Sequence, residues 1–205
     1  MKKFLLAFCT FFCLLVNAQL DTEHWFAPMS ASSLQGTPKC YLYLSTNEVT
    51  PFQVQVYNNN TVFSTVQVSK GNPVQVTVPY QYMISSTLSN LFTSNSMGLY
   101  VKGNKKFFAN FRFTVPNQAE IITSKGLAGI GKNFFVGTAP VTSAKEHVNS
   151  TVGITATEDN TTVTLSGYNL VLFSLTVFRL LQEPLLLTRV NHILLKLKVH
   201  SPQPI

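Results

Sequence analysis

Residues 52–78 read FQVQVYNNNTVFSTVQVSKGNPVQVTV, and this stretch decides the fold class. Phe52, Val54 and Val56 alternate with Gln53, Gln55 and Tyr57. A period of two puts the first set on a buried face and the second on a wetted one, which is the pattern of a half-buried strand. Asn58, Asn59 and Asn60 form a turn, because asparagine tolerates the left-handed backbone that tight hairpins need. Val62, Ser64, Val66 and Val68 then alternate again. Lys70-Gly71-Asn72-Pro73 supplies a second turn before Val74, Val76 and Val78. Three strands joined by short polar turns predict a β-meander, with Tyr41-Leu42-Tyr43-Leu44 pairing beside it.

The same reading extends along the chain. Leu99-Tyr100-Val101 is expected to turn through Gly103-Asn104 into a strand over Phe107–Val115, with Lys105-Lys106 as a solvated strand end. Phe107, Ala109, Phe111, Phe113 and Val115 share one face of that strand. An aromatic row of this kind is either a ligand platform or core, and alternate burial explains it without a ligand. His24-Trp25-Phe26 begins the first strand, with Trp25 expected in the core. A last hairpin is predicted from Val152–Ala156 and Thr161–Leu165 around Glu158-Asp159-Asn160. Residues 19–169 hold no useful helical stripe. Strands recurring about every ten residues indicate an all-β domain, an antiparallel sandwich or a barrel-like sheet.

The two ends differ from this middle. Lys2 and Lys3, the apolar run Phe4–Val16 and the small residue Ala18 have the order of an export signal over residues 1–18, cleaved between Ala18 and Gln19. The apolar run is shorter than the roughly twenty residues a membrane helix needs. Secretion or display at the cell surface is therefore expected, without a stable membrane anchor. Loss of that segment leaves Cys40 as the sole cysteine, so no internal disulfide forms. Residues 170–205 hold eleven leucines and no Gly, Asp or Tyr, whereas nine leucines serve all of residues 19–169. The leucines fall on every helical face, so a soluble amphipathic helix fails. We read this tail as atypical, out of frame, and either poorly ordered or helical by default. Reading the codons one nucleotide earlier can, with permitted codon choices, turn Thr188–Leu195 into Lys-Gly-Gln-Ser-Tyr-Ile-Ile-Lys.

Charge and motif chemistry exclude several function classes. The formal charge is +7, but residues 19–169 carry nine basic against seven acidic groups, a net of +2. Such a balance gives no basic groove for nucleic acid. Gly126, Gly129 and Gly131 have phosphate-loop spacing, yet Asn133-Phe134-Phe135-Val136 after them reads as a strand where a nucleotide loop needs a helix. The glycines then serve a tight loop. Glu158 and Asp159 are the candidate calcium ligands, set against an Asx-type turn that caps its own backbone. His24 and His147, the only histidines before residue 170, do not make a zinc set. No cofactor is expected.

Two segments carry a family resemblance: IITSKGLAGIGKNFFVG, residues 121–137, and VGITATEDNTTVT, residues 152–164. Together they resemble the IgGFc-binding protein N-terminal domain family, as found in large exported, often gliding- or adhesion-associated proteins of Bacteroidetes. Gly129-Ile130-Gly131 stands where Ala-Leu-Gly is commoner in that family. The resemblance implies a β-rich module of a secreted or surface protein, here an incomplete one. No antibody-contact residue carries over by motif. The expected function is a non-catalytic binding or structural module whose partner is an extracellular protein or glycan. The alternative is a secreted carbohydrate-active hydrolase, which needs two carboxylates roughly five to ten Å apart. Glu120 or Glu146 would supply one of them.

Overall fold

A computed structural model describes residues 19–30, 36–86, 93–116, 118–136, 150–164, 185–187 and 192–197. Residues 1–18, expected from the sequence to be an export signal, together with Glu146 and His147, lie outside the described residues. Among the described residues the strands run in chain order: β1 Asp21–Phe26, β2 Met29–Ser30, β3 Lys39–Ser45, β4 Phe52–Asn58, β5 Thr61–Val68, β6 Val74–Val78, β7 Ile84–Ser85, β8 Ser94–Asn95, β9 Leu99–Val115, β10 Gln118–Thr123, β11 Ser150–Thr155, β12 Thr161–Val163, β13 Leu185–Leu187 and β14 His192–Leu197. Among the described residues there is no α-helix, only single 3-10 turns at Tyr80–Tyr82 and Gly126–Gly129.

The seventeen-residue strand β9 organises the domain. Its first half pairs with β1 and β4, and its second half with β3 and β10, all antiparallel. Successive carbonyls of a strand point to opposite edges. Those of Phe107 and Ala109 accept from His24 and Ser124, while that of Lys106 accepts from Thr46 after β3. So β10 and β1 follow one another along one edge of β9, and β3 and β4 along the other. With β5 on β4 and β6 on β3, seven strands form one nearly closed, barrel-like sheet.

Odd-numbered residues of β9 face inward. Leu99, Val101, Phe107, Ala109 and Phe111 are buried with Leu42 and Leu44 of β3, Val54 and Val56 of β4, and Met83. Each large side chain removed from water in this way contributes about 1.5–3 kcal/mol. The Phe107 row is thus core rather than ligand platform. The β4–β5 hairpin is as the sequence predicts: Asn59 and Asn60 have φ of 46° and 62°, the left-handed pair of a two-residue primed turn.

Several expectations are corrected. Gly103-Asn104 is no turn, because β9 continues through it, although its ladder with β1 slips between Lys102 and Phe107. Gly103 faces the core, and a Cβ there would stand 3.0 Å from both the Phe52 and Phe107 rings. The glycine clears space for two aromatics. Lys105-Lys106 therefore lies in mid-strand, not at a strand end. β5 and β6 do not continue a meander, since β6 leaves its turn to pair with β3. A one-residue bulge between Val56 and Tyr57 shifts the hairpin register, and Val62 ends exposed. Trp25 points outward and His24 takes the core position, the reverse of the expectation. Asn133–Val136 is irregular and exposed, not a strand.

The C-terminal arms also differ from the predicted hairpin. β11 and β12 do not pair with each other; β11 pairs with β14 and β12 with β13. The described parts of the tail, Leu185–Leu187 and His192–Leu197, are thus extended and not helical. Leucine and isoleucine side chains suit a ladder partner as readily as a helix, and pairing decides between them. The rest of residues 170–205 lies outside the described residues.

Candidate functional site

β1, β9 and β4 lie side by side, and their register places Trp25, Tyr100 and Tyr57 in one row. Buried residues flank Trp25 and Tyr100 on both sides and Val56 precedes Tyr57, so all three rings alternate onto the outer face. Trp25 stacks on Tyr100 with centroids 5.4 Å apart and planes 28° apart, and Tyr57 stands 5.3 Å from the other side of Tyr100. The central ring is nearly covered by its neighbours, while Trp25 and Tyr57 keep partial exposure. Beside this row the register sets Glu23, Lys102 and Gln55. Glu23 and Lys102 form a 3.4 Å ion pair, and the Tyr57 hydroxyl donates to Gln55 Oε1 at 2.8 Å. The result is an aromatic strip edged by donors and acceptors. Hydrophobic periodicity alone does not disclose it, because the row exists only once three distant segments are in register.

Behind Trp25, on the opposite face of β1, His24 is fully buried. Its Nε2–H donates to the Phe107 carbonyl at 2.8 Å, and its ring meets Phe107 edge-on at 4.6 Å. Its Nδ1 has no hydrogen-bond partner. Burial holds the imidazole below its ordinary pKa, and the Phe107 carbonyl and Asp21 oppose that shift only in part.

The glycine loop after β10 serves this strand. Gly126 has φ +58°, and a Cβ there would lie 2.5 Å from Asp21 Cβ. Bare backbone lets Leu127 N–H reach Asp21 Oδ2 at 2.7 Å, while Ser124 Oγ accepts from Gly126 N–H. The amide that a phosphate-loop reading would offer to a ligand is taken by a carboxylate of this chain. The expectation of a tight structural loop holds.

The remaining candidates do not converge. Glu158 and Asp159 are exposed in their turn, where Thr161 Oγ1 donates to the Glu158 carbonyl and Asn160 has φ 56°. Among the described residues no three His, Cys, Asp or Glu side chains gather. Glu120 is exposed on β10 opposite Phe113. The Cys40 thiol is buried and pushed up to about 11 by that burial, so it stays neutral near pH 7. No described helix is long and apolar enough to cross a membrane. Comparison with family models, with curated proteins and with solved structures returned no match.

Proposed function

We propose that this chain is a non-catalytic binding module of a secreted or cell-surface adhesion-type protein, and that the Trp25–Tyr100–Tyr57 strip is where it meets a glycan. The strip is the single observation that carries the reading. Sugar rings present C–H faces that pack on aromatic planes, while their hydroxyls need donors and acceptors at the rim. Glu23, Lys102 and Gln55 stand at that rim. The motif resemblance of residues 121–137 and 152–164 to the IgGFc-binding protein N-terminal domain family supports the adhesion setting. The order of charge, apolar run and small residue at the N-terminus supports export, with Gln19 as the first residue of the mature chain.

The test is retention of the purified domain on immobilised chitin, cellulose and mucin O-glycans, with Trp25→Ala and Tyr57→Ala beside the wild type. Retention of the wild type on one of these, reduced at least tenfold in both variants with unchanged circular dichroism, supports the reading. Wild-type retention on none of them, or equal retention of all three proteins, overturns it. The out-of-frame reading of residues 170–205 is a separate proposal. Independent resequencing with an unbroken frame across residue 169 would remove it.

A further inference from the structure

The outer strip does not account for what lies beneath it. A histidine that is fully buried, bonded through Nε2 to the Phe107 carbonyl and making no direct hydrogen bond through Nδ1 among the described residues, with only Asp21 acting on it besides, is an unusual occupant of a valine- and phenylalanine-lined core. It sits on β1, a strand whose only ladder among the described residues is with β9 and whose register is broken between Asp21 and Glu23. Besides that ladder and the His24 bond it is held by the Asp21–Leu127 carboxylate–amide bond, the Glu23–Lys102 ion pair, and the ring contacts of Trp25 with Tyr100 and Phe26 with Phe111. We propose that β1 is a detachable strand, released from the Leu99–Phe107 edge of β9 when His24 takes up a proton.

The physical argument is one of solvation. A neutral imidazole needs one donor bond, and the Phe107 carbonyl provides its acceptor. A second proton would place a cation among apolar side chains, and the backbone and carboxylate of Asp21 offset only part of that desolvation. The protonated form gains more in water than in the fold, so protonation favours the open strand.

The charged neighbours do not reverse this balance. On β1 itself are Asp21, which favours the charged ring, and Glu23, which is paired with Lys102 of β9. Lys105 of β9 pairs with Glu48, and Lys106 is exposed. Lys125 caps the 3-10 turn packed on β1 and is exposed. Asp21 is thus the one anion acting on the ring, and desolvation outweighs it.

The sign follows from linkage. The folded-state pKa lies below the ordinary histidine value of 6.5, so the closed strand is fully favoured above 6.5. As pH falls from 6.5 towards the lower folded value, the opening equilibrium constant rises about tenfold per unit, the slope of one proton. Trp25, the chain's only tryptophan, stacks on Tyr100 from the same strand and reports its docking.

The experiment follows Trp25 emission from pH 7.5 to 4.5, with the far-ultraviolet β signal recorded in parallel. His24→Gln keeps an amide donor for the Phe107 carbonyl without a titrating ring. The expected result is a reversible red shift in the wild type with the β signal retained, and a flat profile in His24→Gln. The His24 ring proton resonance of the wild type should titrate with the same midpoint, which keeps the test decisive if the variant does not fold. A shift that persists in His24→Gln, a His24 titration without change at Trp25, or loss of the whole β signal at that midpoint would each overturn the proposal.

Discussion

β10 and β1 lie end to end along one edge of β9, and they reach it by different routes. β10 follows β9 within a few residues, and its ladder runs without interruption from Gln118↔Val115 to Thr123↔Asn110. In β10, Ala119, Glu120, Ile121 and Thr123 are exposed while Ile122 packs against the core, and Thr123 Oγ1 donates to Asn110 Oδ1 thirteen residues away. β1 arrives from far upstream: the His24–Phe107 bond spans eighty-three residues. Closing the longer loop costs about 1.6 kcal/mol more by the logarithmic rule. β1 carries what β10 lacks to offset this, namely buried Phe26, the His24 bond and the Asp21 latch. A local strand needs little beyond its ladder; a distant one must be pinned from inside and at its end.

The sharpest way to break this comparison is to remove the inner side chain beneath each strand. Phe107 lies under β1 and Phe111 under β10 and β3, and both are fully buried. Phe107→Ala and Phe111→Ala should each destabilise the domain by about 3–5 kcal/mol in urea unfolding. If either variant unfolds at the wild-type midpoint, its half of β9 is not core.

A smaller effect should separate the two outer strands. Gly126→Ala places a methyl group against Asp21 at a positive φ, so the latch opens while the β10 ladder is untouched. A loss of about 1–3 kcal/mol is expected, with faster amide exchange confined to β1. Equal acceleration in β10 would mean that the two strands open as one unit.

The smallest effect belongs to the outer face. Lys106 is exposed in mid-strand with its carbonyl, not its side chain, engaged by Thr46. Lys106→Ala should change stability by no more than about 0.5 kcal/mol by thermal melting. A larger loss would show that the outer face of β9 contributes packing of its own.

Local pattern made much of the domain legible. The alternation of Phe52, Val54 and Val56, and of Phe107, Ala109 and Phe111, gives the correct buried faces. The asparagine turn is correct for a reason carried entirely by those residues, their tolerance of positive φ. Gly103 shows where such reading fails. Glycine signals a turn and a close side-chain approach alike, and only the positions of Phe52 and Phe107 distinguish the two. The choice between His24 and Trp25 failed similarly. Hydrophobicity favoured the indole for the core, but an acceptor at Phe107 and a stacking partner at Tyr100 exist only in the folded sheet.

The sequence by itself determined the all-β class, the inward face of the main strands and the tight turn between β4 and β5, because these depend on side-chain period and backbone preference over a few residues. Tertiary structure alone decided that β9 is one strand shared by two halves of the sheet and that β6 joins β3. It also aligned Trp25, Tyr100 and Tyr57 and brought Asp21 to Leu127. Pairing between distant segments is set by which closures bury most apolar surface at least loop entropy, and no local window contains that sum.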